Sequence, residues 1–531
     1  MGLSRRDLLV GLSALGGYSS AVSALGAYGL SSQLAYAADD RLKIMSDAAS
    51  HLGKTAIVVG AGVGGLVAAF ELEKAGFEVT LLEARERVGG RNWTLRAGDQ
   101  VRYTDGNSQT VSFDSGFYFN AGAGRIPSHH QYLLEYCREL GVAIEPVVNT
   151  CRNGLLKPDL TQPAIQMRQV VNDARGYIAQ YLSAAIERQQ VPELALADRS
   201  LFLDFLKTWG DLSSDKRYEG SARSGYQVIP GAGNQKAVKR APLDLKTILD
   251  PAVMTALIID EYPEFSPTMF QPVGGMDQIP KALQKRLKKP VIFYAEVQAI
   301  ETGEQSASVI WWDLKTGKIT RLQADYVVTS LPLPLLAKIP SNLSNPVKQA
   351  IASVSLGHAN KVAWQAPRFW ETHDQIYGGL SFLKHETYSF WYPSHQFQAS
   401  EGILVGAYNN GEVARQFAQK NAQQQIQSSR LAVELVHPGF GKTLKNPIAV
   451  AWDKMPYSLG PWIDGEPAED AYQLLNQPQG RLYITSDGLA RKGIGIWQES
   501  AVVAARRQVQ NIIAHALQHA TVNKPQQTVP A

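Results

Sequence analysis

Apolar runs of strand length alternate along this chain with longer stretches whose apolar residues fall three and four apart, so periods of two and 3.6 coexist. A β pattern at 55–59 (Thr-Ala-Ile-Val-Val) is followed by glycines and a helical pattern ending near Gly76, then by a second strand pattern at 78–82. From about 167 to 206 the spacing is helical, and the glycine-rich loop Gly231-Ala-Gly-Asn234 comes after it, which predicts a helical insertion. Strand patterns return at 291–294, 308–312 and 324–330, again at 361–364 and 402–408, and last at 481–484, ahead of a closing helix over 498–518.

Composition narrows the classes. With 531 residues, 45% hydrophobic and 19% charged, the chain is too apolar to be disordered, and it is long enough for two or three domains. No internal apolar run is long enough to cross a bilayer, which predicts a soluble body. Lys plus Arg number 52 against 48 Asp plus Glu, and no basic stripe with interleaved aromatics occurs, so nucleic acid is not an expected partner. Cys137 and Cys151 are the only cysteines: they can build no disulfide framework and no CxxC site, and either one bridge or two buried thiols fits. The ten histidines show no metal spacing, so no metal is expected. At the start, Ser4-Arg5-Arg6-Asp7-Leu8-Leu9, a weakly apolar run and Ala35-Tyr36-Ala37 resemble a twin-arginine export signal over 1–37. That resemblance implies passage through the twin-arginine machinery, which carries folded proteins, to the periplasm or the outside.

The chemistry begins at Gly60-x-Gly62-x-x-Gly65, set between strand and helix, where glycines allow a tight turn and a close approach to pyrophosphate. Taken alone this is only a tight turn. Glu83 at the end of the second strand completes the pattern, since a carboxylate there accepts from both ribose hydroxyls of an adenosine half. The chain then runs Glu83-Ala84-Arg-Glu-Arg-Val-Gly89-Gly90-Arg91-Asn-Trp-Thr94. This resembles the flavin amine oxidase family, closest to its L-amino acid oxidases, and implies FAD extended along the first domain. Near the other end, Thr485-Ser486-Asp487-Gly and Gly495-Ile496-Trp497-Gln-Glu-Ser-Ala501 resemble the closing motif of the family. Here Thr-Ser-Asp stands for the common Ala-Gly-Glu, and Ile496 for a glycine. The resemblance assigns the cofactor to Gly60, Gly62, Gly65, Glu83, Ala84, Gly90, Arg91, Val297, Asp487 and Trp497. No cysteine lies beyond Cys151, so FAD is expected to be non-covalent.

The resemblance also implies a fold: a discontinuous Rossmann-type FAD domain of the GR2 flavoprotein type over 53–95, 268–352 and 478–520, a mixed-sheet substrate domain over 96–160 and 353–445, and a helical subdomain over 161–267. In Asn120-Ala-Gly-Ala-Gly-Arg125-Ile-Pro127, Arg125 matches the arginine that pairs with a substrate carboxylate, for which a planar guanidinium is suited. Tyr408 matches a strand tyrosine that gives the same carboxylate a second hydrogen bond. Trp497, with Trp391 and Tyr392, is expected to wall the substrate, although core packing explains the last two as well. Lys361 matches the family lysine that holds a water beside the flavin, and a lysine on an apolar strand is costly to bury without such a task. Gly274-Gly275-Met276-Asp277 looks structural. The segment 262–272 contains no histidine, so no general base is named. The expected reaction is oxidation of an L-α-amino acid by FAD and oxygen to a 2-oxo acid, ammonia and hydrogen peroxide. A monoamine or polyamine oxidase, an amino acid monooxygenase and a non-catalytic flavoprotein are the alternatives. Side-chain preference and oligomeric state stay open, and a homodimer is compatible with the sequence.

Overall fold

The computed structural model describes residues 42–522 apart from 44, 48, 232 and 491–496. The export pattern at 1–37 and the Gly495-Ile496 part of the closing motif lie outside the described residues.

Thr55–Val59 is the hub of a four-stranded parallel sheet in the order Glu78–Leu82, Thr55–Val59, Tyr326–Thr329, Leu482–Ile484. It is apolar on both faces because it serves two cores. Ala56 and Val58 pack with the helices Val63–Lys74 and Gln498–Val522, whereas Ile57 and Val59 pack toward an antiparallel meander of Ala295–Thr302, Ala307–Asp313 and Ile319–Ala324. Two expected strands shift. At 291–294 only Ile292 bridges to Leu82; Tyr294 sits at φ 60°, and the strand starts after it at Ala295. The run at 324–330 is broken at Asp325, whose carboxylate accepts from the Thr55 N–H and hydroxyl at 2.8 Å each and from Lys54 at 2.9 Å. That clasp passes the chain from the meander into the parallel sheet.

The second sheet is mixed, with seven strands in the order Ile165–Gln166, Leu155–Lys157, Leu380–Leu383, Ser389–Trp391, Glu401–Asn410, Ala359–Pro367, Lys445–Ala451. Its two faces belong to different cores. Ala363, Ile403 and Val405 face one, and Val362, Trp364 and Leu404 face the other, which also takes in Ala432 and Val433 of the helix Ala422–Val436. Period-two alternation from Val405 would send Ala407, not Tyr408, to the first face. Instead Val362 pairs with Ala407 and Ala363 with Val405, so Gly406 is an extra residue, and this bulge re-aims Tyr408 beside Lys361. Tyr392 is a correction to the expected substrate wall. It is fully buried in the second core, with its hydroxyl 2.9 Å from Ser381 Oγ and 2.7 Å from His437 Nε2.

The helical stretch divides into Met167–Glu187 and Leu196–Gly210, separated around Pro192. Both cysteines are free: Cys137 lies in the core of the parallel sheet, and Cys151 packs against the far core of the mixed sheet.

Candidate functional site

A cavity of about 960 Å³ runs from the glycine turn of the parallel sheet to the first face of the mixed sheet. At the turn, Gly60 has φ 92°, and a Cβ on Gly65 would come 1.9 Å from the Gly60 carbonyl oxygen, so only glycine lets the chain close there. Gly65 therefore lies under the turn, while Gly60 and Gly62 line the cavity. Gly62 precedes the helix Val63–Lys74, which has no side-chain cap, and no atom stands within 4 Å of where a Gly62 Cβ would be. Open helix N–H groups facing a cavity form a phosphate site.

Glu83 is buried at the rim, accepting from the Ala61 N–H at 2.8 Å and the Arg85 N–H at 2.9 Å, with Ala84 and Val297 also lining the cavity. Arg91 and Asp487 meet in a two-pronged pair at 2.9 and 3.0 Å. Burial alone would raise the Asp487 carboxyl, but Arg91 holds it below its usual value. This pair joins the Gly89-Gly90-Arg91 loop to the closing segment, so the short aspartate still reaches the cavity. The donor set suits an extended dinucleotide: an uncapped helix start for the pyrophosphate, a buried glutamate for a ribose, and the Arg91–Asp487 pair beyond them. These residues fit FAD.

At the other end the chain concentrates positive charge among aromatic rings. Arg125 is 7% exposed, and its guanidinium lies 5.1 Å from the Phe265 ring, 5.3 Å from Trp391 and 5.8 Å from Trp497. It donates a hydrogen bond to Asn149 Oδ1, and no carboxylate pairs with it among the described residues. Burial lowers its pKa. Lys361 donates to the carbonyls of Asn120 at 3.0 Å and Gly122 at 2.6 Å, and its ammonium stands 4.9 Å from the Tyr408 ring. Burial, with Arg125 nearby, pushes it down to about 7. The loop 120–125 that carries both acceptors and Arg125 is pressed against Trp391, for a Cβ on Gly124 would meet that ring at 2.1 Å.

The cavity thus brings together Arg125, Lys361, Tyr408, Trp391 and Trp497. Phe265, Trp452 and Gln498 also line it, and Asn149 stands behind Arg125; sequence reasoning missed these four. Gln498 follows Trp497 directly and was within reach. Trp452, whose indole donates to the Ala121 carbonyl at 3.0 Å, and Phe265 carry no local pattern that marks them. His130 packs edge-on against Trp497, does not line the cavity and is pushed down by burial to about 3, so it is neutral packing. Glu499 accepts from the Tyr132 and Leu133 N–H groups at the start of the helix Gln131–Glu139, and burial raises it to about 7. It binds the closing segment to the helix that follows Arg125.

Comparison with known proteins places this geometry. Residues 63–513 match the family model of flavin containing amine oxidoreductases. The chain is 26% identical to an L-amino-acid oxidase of Siganus canaliculatus, over 92% of this chain and 90% of that one. It is 27% identical to the flavin-dependent L-tryptophan oxidase of Lentzea aerocolonigenes, over 87% and 98% respectively. A putrescine oxidase structure with bound putrescine superposes with a TM-score of 0.57 at 19% identity, covering 87% of this chain and 99% of that one, which shows the shared fold.

Proposed function

The chain belongs to the flavin-containing amine oxidoreductase family, whose members act on CH–NH2 donors, and from that premise we propose that it is an exported, FAD-dependent oxidase of L-α-amino acids. The observation that carries the substrate is Arg125. A guanidinium buried among three aromatic rings, with an amide as its hydrogen-bond partner, lacks the anion that would offset its desolvation. A substrate carboxylate supplies that anion. An amine without a carboxylate would leave the Arg125 charge without an anion and would bring a further positive charge beside it.

In this reading Arg125 grips the carboxylate and Tyr408 gives it a second hydrogen bond, which fixes the α-carbon in place. Trp391, Trp497 and Phe265 exclude bulk water around it. FAD, held non-covalently, supplies the hydride acceptor and the route by which electrons reach oxygen. Lys361 has two N–H groups engaged with carbonyls and one left to hold a water, and its lowered pKa places its charge change near neutrality. That water is placed to serve flavin reoxidation or hydrolysis of the imino acid; the products are a 2-oxo acid and ammonia, and oxygen leaves as hydrogen peroxide. The paired arginines at 5 and 6 support export by the twin-arginine route.

Peroxide release from the purified yellow protein, measured against L-amino acids, D-amino acids and the matching amines, tests the reading. L-amino acids should be turned over and amines should not. Turnover of amines alone would overturn it, as would oxidation that yields an amide instead of ammonia.

A further inference from the structure

We infer that Asn149 is a positioning residue for substrate recognition: its side-chain amide orients the Arg125 guanidinium toward the cavity and ties it to the wall segment that carries Phe265. The inference rests on the reading of Arg125 as the carboxylate anchor. Asn149 is 3% exposed and spans two parts of the site. Its Oδ1 accepts from an Arg125 N–H, and its Nδ2 donates to the Phe265 carbonyl at 2.9 Å. Neighbouring residues repeat the clasp. Thr150 Oγ1 lies 3.4 Å from Asp260 Oδ2, and the Arg152 guanidinium pairs with the same carboxylate at 3.6 Å. Val148 is held from the other side, by Ser394 Oγ at 3.0 Å and by the Gly379 N–H at 2.8 Å. The stretch 148–152 therefore fastens the segment 260–265, which brings Tyr262 and Phe265 to the cavity, to the mixed sheet.

An amide is the side chain this position requires. It must accept from a cation and donate to a carbonyl at once, which a carboxylate cannot do and an aliphatic chain cannot begin. A carboxylate would also neutralise Arg125 and compete with the substrate for it, whereas a neutral oxygen fixes the guanidinium plane and leaves its charge for the ligand.

The test uses the holoenzyme with Asn149→Ala, Asn149→Ser and Asn149→Asp. KM and kcat are measured on one L-amino acid, and the Kd of benzoate, a carboxylate without an α-amino group, is read from the visible flavin spectrum. Asn149→Ala should raise KM and benzoate Kd together by about tenfold, the effect of one hydrogen bond to a charged group, with kcat changed little. Asn149→Asp should raise both further, and Asn149→Ser less than Asn149→Ala. Unchanged KM and Kd in the alanine and aspartate variants overturn the inference, and so does a fall in kcat with KM and Kd unmoved. If Asn149→Ala loses flavin, the ranking of Asn149→Ser and Asn149→Asp, each at wild-type flavin content, decides in the same way. Arg125→Met run in parallel separates the two readings: an unmoved KM there removes the anchor itself, whereas a raised KM beside silent Asn149 variants removes only the role of Asn149.

Discussion

The two ends of the cavity are built in opposite ways. The glycine turn and Glu83 sit in one strand–helix–strand unit of fewer than 30 residues, and backbone geometry shapes most of that end. At the far end, Lys361 reaches carbonyls 241 and 239 residues away, and Asn149 joins Phe265 across 116 residues. At the first end Gly65 tolerates no added atom; the second depends on side chains held by distant parts of the chain. Damage at the turn should therefore abolish holoprotein, whereas damage at the far end should leave a yellow protein with altered kinetics.

The largest effect is expected at Gly65. Its valine variant would drive a side chain into the Gly60 carbonyl, and purified protein should be colourless, with no visible flavin band; a normally yellow Gly65→Val would break the comparison at its root. Next, Arg125→Met should retain the flavin but raise KM for L-amino acids roughly 10²–10³-fold, the usual cost of removing one partner of a buried charge pair. Steady-state assays at matched flavin content check this.

Lys361 sharpens the contrast through pH. Its pKa falls from the ordinary 10.5 to about 7 in the folded chain. Between those values the unfolded chain holds the proton and the folded chain does not. The contribution to stability is thus fully present above about pH 10.5 and is lost as pH falls to about 7. Lys361→Met should flatten the rise of Tm across this window, seen by thermal melts of holoenzyme at several pH values. Equal slopes in the two proteins would mean that the ammonium is not held down. The smallest effect is expected for Tyr408→Phe, which removes one hydrogen bond and should raise KM about fivefold, with an unchanged flavin spectrum.

What could be read in the sequence follows the same division. Strand, glycines, helix and Glu83 lie in one window, and their periodicity and spacing specify a turn of one kind. Arg125, Tyr408 and Lys361 could be named because they sit in motifs, but neither their contacts nor their facing could. The bulge at Gly406 decides which face Tyr408 occupies, and simple alternation gives the wrong one. Tyr392, which directly follows Trp391 at the end of its strand, belongs to the opposite core, because successive side chains there point to opposite faces of the sheet. Phe265 and Asn149 lie in stretches without periodicity, where only the folded chain shows what they touch. Asp325 splits an apparent strand because its side chain accepts from the Thr55 N–H and hydroxyl of another strand, which no local propensity records.

The order of strands in the parallel sheet also bears on how the molecule is made. Its fourth strand, Leu482–Ile484, is followed by the helix that packs against Val63–Lys74, so these first and last segments meet only after about 420 residues have been synthesised between them. A nascent chain emerging from the ribosome can form the glycine turn early but has neither Asp487 nor Trp497 to complete the cavity. Cofactor capture is on this reading a late event in the birth of the protein, and a chain that stalls or is cut before that strand should stay colourless.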